Sequence, residues 1–246
     1  MTAAAEEEQP GGVDALYPFL SAPRPGDPLA GHAELLAEVR RSTVDKAYEI
    51  IELRRRIVER EAARIEACSA ELARAFASGA RLLAFGNGGS STDAQDLASL
   101  FMSAGDGAPE LALPAFALTN DSALVTALSN DVGFEAVFAR QIAALGRPGD
   151  IAVGLSTSGD SPNLLHAFDG AHARGLLTIG IAGHDGGKMA KLSSIDYLFV
   201  VDSPSVHRIQ EAQTTIYHVL WELTLAALAR GGPAGTATTD LGGTAR

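Results

Sequence analysis

Two stretches of this sequence set hydroxyls, amides and bare backbone where they could hold an anion. Residues 86–93 read Gly-Asn-Gly-Gly-Ser-Ser-Thr-Asp, a glycine-rich turn leading into a helix. Glycines there let a ligand approach backbone N–H groups at a positive helix end, although a plain tight turn uses the same residues. It is no dinucleotide fingerprint, because Ser91 stands where the third glycine of GxGxxG belongs. Residues 156–163 read Ser-Thr-Ser-Gly-Asp-Ser-Pro-Asn and place the hydroxyls of Ser156, Thr157, Ser158 and Ser161 within six positions. Hydroxyls and free amides at a helix N-terminus can surround a phosphate without any lysine. Ser161 followed by Pro162 also reads as an ordinary N-cap and first helical residue. A third segment, His184-Asp185-Gly186-Gly187-Lys188, lacks the GxxxxGK[ST] spacing of a nucleotide loop and puts Met189 where a magnesium-holding hydroxyl belongs, so it reads as a turn. Further on, Gln210 and His218 are eight residues apart and share a helix face after about two turns. A histidine on the inner side of a helix serves either as a hydrogen-bonded core residue or as a ligand.

Those residues need a scaffold, and the apolar pattern supplies one. From 35 to 77 apolar or small residues recur at helical spacing (Leu36, Val39, Thr43, Ala47, Ile50, then Ile65, Cys68, Leu72 and Phe76), and Gly79 can close that helix. Short apolar runs at 81–85, 114–119, 151–155, 177–183 and 197–201 have the length of buried strands. Helical segments are expected at 93–102, 134–145, 163–174, briefly near Met189, and at 206–228. Strands that alternate with helices and are apolar on both faces imply a mostly parallel sheet covered on both sides. Ligands in such α/β folds sit at the carboxyl ends of the strands, which directs attention to the loops after Phe85, Thr119 and Leu155.

Composition bounds the function classes. The chain has 246 residues, 46% hydrophobic and 20% charged, enough to bury a globular core. Its net charge of -11 has the wrong sign for a surface that holds nucleic acid, yet permits a local site for a small anion. No apolar run approaches the roughly 18 residues of a membrane span. The single cysteine, Cys68, cannot form an internal disulfide, and the N-terminus lacks a signal peptide's basic and apolar regions, so a cytoplasmic protein is expected. Residues 1–33 read as a mobile arm carrying one apolar knot (Leu16, Tyr17, Phe19, Leu20), 34–230 as the folded domain, and 231–246 as a disordered tail.

GNGGSSTDAQ, Asn130-Asp131 followed by Gly-Phe, STSGDSPN, DGGK and RIQE occur here in one order and spacing. Together they resemble the phosphoheptose isomerase family of the sugar isomerase (SIS) domain proteins, from about residue 34 to 228. The resemblance implies a three-layer α/β sandwich with a five-stranded, mostly parallel sheet, an N-terminal helical extension, and a homotetramer with sites at subunit interfaces. It also implies interconversion of sedoheptulose 7-phosphate with glycero-manno-heptose 7-phosphate, and no nucleotide cofactor. By position, Asn87, Gly88, Gly89, Ser90, Asn130, Asp131 and Gln210 would touch the phosphorylated sugar, and Ser156, Thr157, Ser158 and Ser161 would hold its phosphate. Gln210 and His218 would also meet a metal, zinc in the family, with His218 otherwise an acid–base partner.

Departures from the family pattern fall on the chemistry. The His and Glu that the helix after GNGGS presents four residues apart are Asp96 and Leu100 here, the His after RIQE is Gln213, and the Asn of STSGNS is Asp160. Leu100 can neither bind zinc nor accept a proton. Asp96, one turn before it, is the candidate base with His218 as acid, and Asp96, Gln210 and His218 are the candidate zinc ligands. Two functional readings follow: an isomerase with a shifted base, or a non-catalytic SIS protein that binds a sugar phosphate or a protein partner as regulator or scaffold.

Overall fold

A computed structural model describes residues 32–103 and 112–231. The apolar knot and both tails expected at 1–33 and 231–246 lie almost wholly outside the described residues. The chain divides into two units, Met1–Tyr48 and Glu49–Arg246. In the first, the opening of helix α1 (His32–Ala77) leaves Leu35, Leu36, Val39, Val44 and Tyr48 exposed. The apolar spacing that predicts a buried stripe is realised only later in α1, where Leu53, Ile57, Ile65, Cys68, Leu72 and Phe76 are buried. Gly79 ends the helix at φ +86°, a left-handed position that favours glycine.

The second unit carries a five-stranded parallel sheet: β1 (Leu82–Gly86), β2 (Ala115–Ala117), β3 (Ile151–Leu155), β4 (Leu177–Gly183) and β5 (Tyr197–Val201), in the order β2-β1-β3-β4-β5. Period-two alternation sends residues to opposite faces. Leu82, Ala84, Ile151, Val153, Ile179 and Ile181 meet α1, α2 (Gly89–Met102) and α6 (Val206–Gly231). Leu83, Phe85 and Ala152 meet α4 (Val137–Leu145) and α5 (Pro162–Ala173) on the other face, with the Phe85 ring packed at tilted angles against Phe138 and Phe168. Burial on both faces is why the strands read as continuous apolar runs.

Four elements differ from expectation. Helix α2 starts at Gly89 rather than at residue 93, because Gly88 at φ +54° turns the chain at once. The small polar residues of that first turn carry little helical signal. A helix not foreseen, α3 (Ser122–Asp131), is capped by Asp121, whose carboxylate accepts the Leu124 N–H at 2.9 Å. It buries no residue fully and packs only Val125 and Leu128 partway against the core, so its apolar stripe is short. The segments expected to be helical at 134–145 and near Met189 begin or consist of 3-10 turns, Phe134–Ala136 and Met189–Lys191.

Candidate active site

The strand order reverses between β1 and β3, so the loops leaving their carboxyl ends diverge and open a crevice. Both motif loops are those two loops. After β1, Asn87 and Asn163 exchange two amide hydrogen bonds of 2.9 Å, tying the glycine loop to the first turn of α5. After β3, the buried Ser156 hydroxyl accepts the Gly159 N–H at 2.9 Å and the Ser158 hydroxyl accepts the Asp160 N–H at 3.2 Å. Each hydroxyl keeps its proton free to donate to an anion. Ser161 occupies the N-cap position of α5 with Pro162 behind it, but its side chain makes no capping bond, which leaves that hydroxyl available.

The DGGK turn has a structural task. Lys188 donates its backbone N–H to Asp160 Oδ1 at 2.9 Å, and Met189 donates to the Gly159 carbonyl at 2.9 Å. A Cβ on Gly159 would stand 2.1 Å from the Gly186 carbonyl oxygen, and its φ of +72° favours glycine. The hydroxyl loop is therefore braced from below by the turn. Gln213, fully buried on α6, adds a second brace by donating Nε2 to the carbonyls of Ser156 at 2.8 Å and Ile181 at 3.2 Å.

A second group of polar residues lies where α2 faces α6. The spacing of Gly89, Asp93 and Asp96 puts them on one face of α2. Opposite, Gln210 donates Nε2 to Asp93 Oδ2 at 3.2 Å and lies so close to Gly89 that a Cβ there would be 2.3 Å from the amide nitrogen. Tyr217, 1% exposed, donates its hydroxyl to Asp96 Oδ2 at 2.6 Å, and His218 Nε2 is 3.9 Å from the same oxygen. Burial pushes the Asp93 carboxyl above the usual carboxylate range, the Gln210 hydrogen bond pulls it back, and the Asp96 charge pushes it up again. Burial, then the adjoining Asp96 carboxylate, holds the Tyr217 phenol well above its ordinary range, so it stays a donor.

Of the residues singled out in the sequence, Asn87, Gly88, Gly89, Ser90, Ser156, Thr157, Ser158 and Ser161 occupy the two crevice loops, and Asp96, Gln210 and His218 share the α2–α6 cluster. Asn130 and Asp131 stand exposed at the end of α3, where Asn130 donates to Asp131 at 2.8 Å and no side-chain hydrogen bond among the described residues joins them to the rest. No role was foreseen for Asp93, Asn163 or Tyr217, nor for Gln213 beyond its standing at the family's histidine position. Each bonds a residue at least 57 positions away, a relation no local spacing announces.

The SIS domain family matches residues 47–183, more than half of the chain. A phosphoheptose isomerase of Nitratidesulfovibrio vulgaris is 42% identical over 187 residues, 75% of this chain and 88% of that one. A phosphoheptose isomerase of a Roseiflexus species is 41% identical over 183 residues, 74% of this chain and 91% of that one. The chain belongs to the phosphoheptose isomerase family. The solved phosphoheptose isomerase GmhA of Neisseria gonorrhoeae shares its fold, with a TM-score of 0.66 and 33% identity over 75% of this chain and 97% of that one.

Within the phosphoheptose isomerase frame, the departures have physical consequences. Leu100 is partly buried against the core cluster, so its position offers the site no donor. Asp160 does not turn a loose charge on the crevice, since one carboxylate oxygen is held by the Lys188 N–H. Among the described residues no three His, Cys, Asp or Glu side chains are grouped to hold a metal. Asp96, Gln210 and His218 supply only one carboxylate, one imidazole and a weak amide donor. That set does not fit the expected zinc.

Proposed function

We propose that this protein is a sugar-phosphate aldose–ketose isomerase of the phosphoheptose type, interconverting sedoheptulose 7-phosphate and glycero-manno-heptose 7-phosphate through an enediol. The observation that carries this is the pairing of a braced, hydroxyl-lined loop at the switch point with a carboxylate and an imidazole 3.9 Å apart on α2 and α6. Phosphate is held by the hydroxyls of Ser156, Thr157, Ser158 and Ser161 and by the first amides of α5. The sugar lies against Asn87, Gly88, Gly89 and Ser90 and toward Gln210, which Asp93 keeps in place. Asn130 and Asp131 complete the contacts.

Asp96 takes a proton from C1 of the ketose and returns it to C2. His218 accompanies it by moving a proton from O1 to O2, so the C2 carbonyl becomes a hydroxyl as the C1 hydroxyl becomes the aldehyde. A positioned base of this kind contributes about 10² to 10⁴ in rate. Because the donor set does not suit zinc, every proton movement is assigned to these side chains. A second reading, a phosphosugar-binding regulator without turnover, is favoured by the apolar Leu100 at the family's carboxylate position.

The assembly is a cytoplasmic homotetramer of the 34–230 domain, with residues 1–33 and 231–246 as appendages. Supporting this are the exposed Ile51 and Val58 on α1 and an apolar cavity of about 140 Å³ lined by Ile57, Val58, Ile65, Ile216, Val219 and Leu223. No helix among the described residues is long and apolar enough to cross a membrane. The test is Asp96→Asn and His218→Ala, assayed with sedoheptulose 7-phosphate. Each should cut turnover at least about 100-fold while inorganic phosphate still binds. Full turnover in both would refute the roles of Asp96 as base and His218 as acid.

A further inference from the structure

We propose that Tyr217 is a positioning residue for the proton-transfer pair: its hydroxyl holds the Asp96 carboxylate, and its ring lies beside the His218 imidazole. The inference rests on the reading of Asp96 as base and extends it to a residue that the site motifs do not contain.

The Asp96 side chain is 59% exposed, and nothing in its surroundings except the Tyr217 hydroxyl donates to it among the described residues. A short aspartate on a solvated helix face samples several rotamers, and only some of them aim an oxygen at a bound sugar. Tyr217 is the opposite kind of residue. It is 1% exposed and belongs to the core cluster that includes Ile216 and Leu220. With two side-chain torsions and a ring locked by packing, its hydroxyl has a fixed place. At 2.6 Å the O–H···O⁻ bond has the length of a charge-assisted one. It binds Oδ2, leaving Oδ1 with no protein donor among the described residues and free to face substrate.

The same ring lies 5.3 Å, centroid to centroid, from the His218 imidazole at an interplanar angle of 31°. One buried aromatic therefore bonds the base and lies beside the acid, the pair's nearest atoms being 3.9 Å apart. Thr214, one turn earlier, adds a weaker contact to the phenol oxygen at 3.4 Å. The phenol's hydrogen bonds among the described residues go to Asp96 and Thr214 and to neither loop, so the tether bears on proton transfer and not on phosphate affinity.

Tyr217→Phe removes the hydroxyl and keeps the ring, and is measured beside Asp96→Asn and the double variant, with sedoheptulose 7-phosphate as substrate and inorganic phosphate as binding probe. Loss of the tether should lower kcat by about 10- to 100-fold, the scale of a misplacement near 1 Å. KM and phosphate affinity should stay within about twofold, and the double variant should be no slower than Asp96→Asn alone, as expected of residues acting as a unit. If Asp96→Asn abolishes turnover but Tyr217→Phe keeps the parent kcat, whatever its melting temperature, the tether is structural only and the proposal fails by itself. If Asp96→Asn keeps turnover, the reading of Asp96 as base fails and this proposal falls with it. A Tyr217→Phe loss that appears in KM or phosphate affinity rather than kcat overturns the proposal too.

Discussion

Gly89→Ala adds one methyl group where α2 meets α6, and the structure sets the size of the consequence. The new Cβ would lie 2.3 Å from Gln210 Nε2, 3.1 Å from its Cδ and 3.2 Å from its Oε1. Favourable contacts begin near about 3.5 Å, so the amide must retreat by about 1 Å. The Gln210–Asp93 bond, already 3.2 Å, cannot survive that movement. A hydrogen bond to a charged group is worth about 1.5–3 kcal/mol. Against this, replacing glycine in a helix gains about 0.5–1 kcal/mol. The net cost is about 1–2 kcal/mol, with a fall in Tm of about 2–4 °C per kcal/mol for a chain of this size. Displacing Gln210 by that distance should cost up to about 100-fold in kcat/KM. Calorimetric melting and steady-state kinetics with sedoheptulose 7-phosphate measure both. The decisive control is Gln210→Ala, in whose background the three closest contacts of the added methyl are gone and the melting penalty should vanish. If Gly89→Ala costs the same there, the contact with Gln210 is not its cause.

Three further outcomes are expected. Ser161→Ala should leave Tm within the small range of surface changes, about 0.5 kcal/mol, because the hydroxyl makes no capping bond, yet weaken inorganic phosphate binding by about 5- to 10-fold in titration calorimetry. Asp150→Asn strands Arg81, whose guanidinium lies 2.6 Å from the buried carboxylate, and should cost about 3 kcal/mol in chemical denaturation. Burial alone would raise that carboxyl, but hydrogen bonds from the Arg81 side chain and from the Arg81 and Arg147 amides overcome it and hold it below the usual range. The stabilisation is therefore present above the unfolded value of about 4 and lost as pH falls through the lower folded value, so the gap between parent and variant should close in acid. Asp93→Asn should remove a destabilisation that grows as pH rises from about 4, since burial raises its folded value, and should flatten that part of the stability profile.

Much of the fold could be read from the sequence because burial on both sheet faces leaves a plain signal. Runs such as those of β1 and β3 contain nothing but apolar and small residues, and the loops after them carry the glycines and hydroxyls in full view. Helix α3 escaped because it packs only Val125 and Leu128 partway against the core, and the start of α2 because glycine and serine are poor helix formers. In the site, residues that display themselves in short motifs were legible. Those that act by reaching across the fold were not: Tyr217 looks like an ordinary core aromatic until its hydroxyl is seen on Asp96, 121 positions away. Gln213 likewise reads as a lost histidine, whereas its amide joins the ends of β3 and β4 beneath the hydroxyl loop. Leu100 was visible as a departure from the family pattern, and its packing against the core shows what replaced the missing carboxylate.

Incubation of the protein with sedoheptulose 7-phosphate in deuterated water, followed by NMR, bears most directly on enediol isomerisation at this site. The expected result is an aldose 7-phosphate carrying deuterium at C2, with label also entering C1 of the recovered ketose, and loss of both in Asp96→Asn. Neither aldose nor label, from a protein whose melting temperature still rises with the sugar phosphate, would contradict it and leave a binding protein on an isomerase fold.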